Sequence, residues 1–337
     1  MGTRAISRQV LAALFAAPAF LGAQSILVAG NKPTNTVTLV DLASGHTLAM
    51  LPTGLGPHEA AASHDGRWAV VTDYGTGPAP GSSLTLVDLN SKTVVAKIDL
   101  GRYRRPHGVQ FLPGDSLIVV SVEADSAVLV VHLASRSVRK AVMTNQRTSH
   151  MITMRSDGMV GYTSNINSNS ISEVNLVTGT SRYLTVGAQP EGIGARPDGK
   201  EVWAGSNTEG TISVVDVATW KVAATISVGE RPYRVSFTPD GKTAIASLTA
   251  SSRVRLYDAT TRTELATITI PGKSAATDLA AGGAQPVGIA YSSDSRFAYV
   301  ACQGIDAVAV IDLRERKLVK TVPVGPGPDA VAIAERR

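Results

Sequence analysis

The chain ends on "PDAVAIAERR" (Pro328–Arg337), an alternating apolar segment that stands alone. Six earlier stretches open in the same way. They are "PHEAAASHDG" from Pro57, "PHGVQFLPGD" from Pro106, "SHMITMRSDG" from Ser149, "PEGIGARPDG" from Pro190, "PYRVSFTPDG" from Pro232 and "PVGIAYSSDS" from Pro286, spaced 41 to 54 residues apart. Each of the six is followed by further strand-like runs, such as "WAVVTDY", "LTLVDL" and, in a later unit, "KVAATISVG". Period-two alternation rich in Val, Ile and Thr, punctuated by Asp-Gly turns, is the signature of β-strands. The segment at Pro328 lacks its three followers, and "SILVAGN", "TVTLVDL" and "HTLAMLPTG" near the head supply them. The two ends therefore complete one unit, which is how a circular array closes without a free sheet edge. The predicted fold is all-β: a seven-bladed β-propeller of four-stranded blades, the last closed by one C-terminal and three N-terminal strands.

Composition agrees. Of 337 residues, 44% are hydrophobic and only 18% charged, which suits a large core and excludes a disordered chain. The single cysteine, Cys302, rules out an internal disulfide. No C-x-x-C-H haem motif occurs.

Residues 1–23 differ from the rest. Arg4 and Arg8 precede an apolar run from Val10 to Leu21, then small residues. This reads as a secretory signal peptide cut after Ala23, leaving the propeller at 24–337 and an exported protein, periplasmic or secreted. The run is shorter than the roughly 20 residues a bilayer span requires, so no membrane span is expected in the mature chain. Loss of the leader lowers the formal net charge of +5 by two. The remaining charge is too small to argue for nucleic acid, even with the basic-aromatic run "GRYRRP" (Gly101–Pro106) in its favour.

The strands "YVAC" (Tyr299–Cys302), "YTSN" (Tyr162–Asn165) and "VWAGSN" (Val202–Asn207), with "SVVDVATWKVAATISVG" and "RPDGK", resemble the YVTN-type propeller repeat. The chain is similar to exported propellers of the YncE-like group and, more distantly, to lactonase-type propellers. That resemblance implies the fold over nearly all of residues 24–337, with the first strand of each blade lining a central channel. It says little about function, because propellers host many chemistries.

On that arrangement the position after each Pro maps one mouth of the channel. It holds His58, His107, His150 and Glu191 on successive units, with Arg234 one place further on in the next. The ends of the second strands add Asp73, Tyr74, Glu123, Asn165 and Asn207, and the preceding loop adds Arg105. Three imidazoles with carboxylates nearby suit a divalent transition metal, with His58, His107 and His150 as ligands. The same groups suit proton transfer near neutral pH, with His107 and Glu123 as catalytic candidates. Arginines favour a small anionic ligand. Three functions follow as expectations: an exported binding protein for a small anion with a metal at one mouth; a metal-assisted hydrolase or lyase of lactonase type; or a structural, protein-interaction scaffold.

Overall fold

The computed structural model describes residues 25–273 and 282–335. The signal-peptide expectation falls outside these residues. Within them lie seven antiparallel four-stranded sheets, counted here as blades 1 to 7. Blade 1 is the closing one. Its strand order places β28 (Pro328–Glu335) innermost, then β1 (Ser25–Asn31), β2 (Thr36–Asp41) and β3 (Thr47–Pro52). The β1–β28 register runs from Ser25 opposite Glu335 to Asn31 opposite Pro328. Ring closure by the two chain ends is as the repeat predicts.

The core lies between blades rather than within one sheet. Along β1, Ile26 and Val28 pack with Ala69, Val71 and Val87 of blade 2, while Leu27 and Ala29 pack with Val287, Tyr299 and Val308 of blade 7. Both faces of an inner strand are thus buried, which is why these strands are almost continuously apolar. The outermost strands alternate with solvent, as in "KVAATIS" (Lys221–Ser227).

The first strands carry the feature that builds the site. In β4 (Pro57–Ala62), Pro57 opposes Asp73 and Ala60 opposes Val71 of β5 (Trp68–Gly75), so His58 and Glu59 together face the single residue Thr72. This is a β-bulge. The same register break follows Pro106, Ser149, Pro190 and Pro286. A bulge suspends strict alternation, and here it lets His58 and Glu59, though adjacent, both reach the channel. The Thr72 hydroxyl accepts the Glu59 N–H at 2.9 Å, so the bulged backbone is not left unpaired.

Candidate functional site

His107 opens β8 (Pro106–Phe111) and His150 lies in β12 (Ser149–Met154). The residue after His107 is glycine for a steric reason. A Cβ on Gly108 would lie 2.6 Å from the Ile152 nitrogen, so only glycine lets these two strands approach so closely. The His107 and His150 rings consequently sit 3.7 Å apart between centroids, and the His107 and His58 rings 4.2 Å apart.

The three imidazoles were expected on an exposed rim. They are buried instead: His107 is 0% exposed, and His58 and His150 are 6% each. Their strands converge on the channel axis, and the neighbouring side chains cover them. Tyr74 lies edge-on to both His58 and His107. Its hydroxyl donates to Glu123 Oε2 at 2.6 Å. Burial, and next the Glu123 charge, push that hydroxyl up to about 12, so it remains a donor.

Glu123 Oε1 also bonds His150 Nδ1 and lies 3.9 Å from His107 Nε2. His150 Nε2 lies 3.5 Å from Glu191 Oε1. Burial alone would depress the His150 pKa, but the two carboxylates outweigh it and raise it. His107 is the opposite case. Burial chiefly, then the neighbouring His150 and His58, lower it well below the ordinary value, so it is neutral at pH 7. Neither His107 ring nitrogen has a hydrogen-bond partner. A buried imidazole with both nitrogens unpaired is costly unless something ligates it.

Around this triad four cations meet four carboxylates. Arg234, in β20 (Arg234–Phe237), crosses the channel to Glu59 Oε1 at 2.6 Å and reaches Glu191 Oε1 at 3.4 Å. Arg231 adds a 2.6 Å contact to Glu191 Oε2, which also accepts from Asn207 Nδ2. Lys32 Nζ lies 2.9 Å from His58 Nε2 and 3.0 Å from Asp329 Oδ2. An ammonium can only donate, so His58 Nε2 accepts and the ring proton sits on Nδ1, 3.0 Å from Asp329. The fourth is His150, whose charged form the two carboxylates favour.

Not every residue expected at the mouth belongs here. Asp73 turns into its own blade, where it accepts bonds from Gly54 N, Ser83 Oγ and Thr85 Oγ1, and burial raises its pKa. Asn165 likewise bonds Ser149, Ser170 and Ser172. Arg105 donates to the carbonyls of Thr76 and Gly77 and lies over the Tyr74 ring, so it clamps that loop rather than facing the histidines. Lys32, Glu59, Arg231 and Asp329 are the members absent from the expected set.

Below the cluster, Glu59 and Arg234 cap a channel cavity of about 390 Å³ walled by Val109, Ile152, Ile193, Val235 and Ile289. The other histidines take no part. His64 pairs with Asp115 on exposed turns, and His132 bonds Ser135.

Ionisation makes an expectation for the metal-free protein. Burial opposes ionisation of Glu191, yet His150 and Arg234 hold its carboxyl far below the ordinary value of 4.5. A depressed folded-state pKa stabilises above the unfolded value and is lost as pH falls below it. Unfolding stability should therefore drop below about pH 4.5, and Glu191→Gln should flatten that acid limb. An unchanged limb in chemical denaturation across pH 3–6 would contradict this assignment.

Fold and site together define a seven-bladed propeller with buried His/Glu groups that could hold a metal ion. No family model and no curated protein matches the chain. Among solved structures it is similar to Hydrazine Synthase of Kuenenia stuttgartiensis, with a TM-score of 0.68 and 19% identity over 82% of this chain and 89% of that one. It is also similar to a functionally unknown protein from Desulfotomaculum acetoxidans, with a TM-score of 0.75 and 13% identity over 93% and 99% of the two chains. At such identities the likeness concerns the fold alone.

Proposed function

We propose that this chain is an exported metal-binding propeller, a divergent relative of the YVTN-type repeat proteins. It holds a divalent transition ion at the closed end of its channel through His107, His150 and Glu123. The observation that carries this reading is the fully buried His107 with both nitrogens unpaired, inside a set whose ligand atoms lie within 4.8 Å of one another. Two imidazoles and a carboxylate make a borderline donor set suited to Zn, Cu, Ni or Fe. Three protein ligands leave a coordination position for a small molecule.

That molecule is an anion by charge, though for a different reason than the arginines suggested. Arg231 and Arg234 are already spent on Glu191 and Glu59, and Arg105 on backbone carbonyls. The attraction comes from the ion itself and from Lys32, whose side chain is 36% exposed beside Asp329. Hydrolysis of a lactone or ester is the alternative use of the same groups, with ionised Glu123, ligating through one oxygen, taking the proton on the other. Turnover alone separates that alternative from binding.

The test is metal analysis of the purified chain after equilibration with Zn, followed by His107→Ala. Stoichiometric metal in the wild type and affinity weakened about 100-fold or more in the variant are expected, since a ligand rather than a supporting residue is lost. Undiminished metal in a folded His107→Ala protein would refute the site. Recovery of the chain from the cytoplasmic fraction with residues 1–23 intact would refute export.

A further inference from the structure

We propose that the channel end accepts two metal ions, with the His107 imidazole shared between them. This extends the single-ion reading above and rests on it. Two donor groups overlap at one residue: His107, Glu123 and His150 form one, and His58, Glu59 and His107 form the other. An imidazole has two nitrogens at different edges of its ring, so one ring can ligate two ions. His107 is placed for that. It lies between the His58 and His150 rings, each side brings one carboxylate, and neither of its nitrogens is committed elsewhere.

The His58 side already demands positive charge. Lys32 supplies it to His58 and Asp329, and Arg234 supplies it to Glu59 Oε1. Lys32 differs from Arg234 in being removable. It sits on a three-residue turn, Lys32–Thr34, with its side chain 36% exposed, whereas the Arg234 side chain is 5% exposed and tied to two carboxylates. Rotation of Lys32 into solvent frees His58 Nε2, and a divalent ion restores the charge that Asp329 loses. Arg234 holds Oε1 of Glu59, which leaves Oε2 to ligate. Neutral His107 carries one ring proton. Ligation at both nitrogens releases that proton to solvent, His150 sheds the extra proton of its charged form on ligating the first ion, and no electron transfer is involved.

Cu(II) titration of the full chain tests this, with metal analysis and electron paramagnetic resonance read together in a His64→Ala background to remove a surface site. Two ions per chain are expected. The spectrum should grow to one equivalent and then fall as the second ion couples through the shared ring. His58→Ala, or His58→Gln if the alanine variant does not fold, should stop at one ion and keep the full signal. Lys32→Met should fill the second position at several-fold lower copper. One ion per chain in both the wild type and Lys32→Met would overturn the second site and leave the first standing. Two ions with an undiminished spectrum would overturn the shared ring. No bound ion at all would overturn the underlying metal reading.

Discussion

Removal of the last strand, by ending the chain at Gly327, is expected to abolish the cooperatively folded protein. Strand β28 is the innermost strand of blade 1 and pairs with β1 along that strand's whole length. It buries Ala330, Val331, Ala332 and Ala334. Its loss would open the ring, uncover Ile26 and Val28 on one face of β1 and Leu27 and Ala29 on the other, and take Asp329 away from His58. Each ladder hydrogen bond contributes about 1 kcal/mol net. With the apolar burial added, the deficit reaches the 5–15 kcal/mol or so that holds a typical domain together. Circular dichroism and urea unfolding of the shortened chain should show no native-like transition. An unshifted cooperative transition would mean that the ends do not close the ring.

Arg234→Met should be the most damaging single substitution in the channel. The guanidinium is the only cation in ion-pair contact with Glu59 among the described residues, and one of three around Glu191. Burial ordinarily weakens the case for ion pairs as stabilisers, but breaking one by removing a partner leaves a bare buried charge and costs about 3–5 kcal/mol. Adding Glu59→Gln should recover part of that loss, because the uncompensated carboxylate disappears. Urea unfolding of the single and double variants at pH 7 reads both effects directly. A deficit below about 1 kcal/mol, within the range of exposed pairs, would show that the cross-channel contact is not a buried one.

How much of the site was legible depended on register. The turn-strand phrase, repeated from Pro57 to Pro328, sufficed for blade number and ring closure because each repeat must bury its faces on its neighbours. His58, His107, His150 and Glu191 were readable for the same reason, since each follows the proline position on its own blade. The second strands were harder. The residue directly opposite the proline position, Asn31, Asp73 or Asn165, bonds hydroxyls of its own blade. The next residue along, Lys32, Tyr74 or Glu123, faces the channel. Sequence reading gathered both registers as one set, and so admitted Asp73 and Asn165 and missed Lys32. A strict period-two count from the strand's pairing position would have separated them. Glu59 shares the register of Arg234, two places after the proline position; strict alternation assigns it the opposite face from His58, and the bulge turns both inward. Burial at the channel axis was not legible at all, because it depends on how closely the first strands approach, which a single glycine such as Gly108 decides.

The central claim is that the ring packs two neighbouring blades closely enough to gather their side chains into one metal-binding donor set. Anomalous diffraction from crystals of the Zn-loaded full chain tests it most directly. The account predicts a peak inside the channel, about 2.0–2.2 Å from a ring nitrogen of His107, a ring nitrogen of His150 and a carboxylate oxygen of Glu123. A channel without such a peak, with Zn found only at surface groups such as His64 and Asp115, would contradict it.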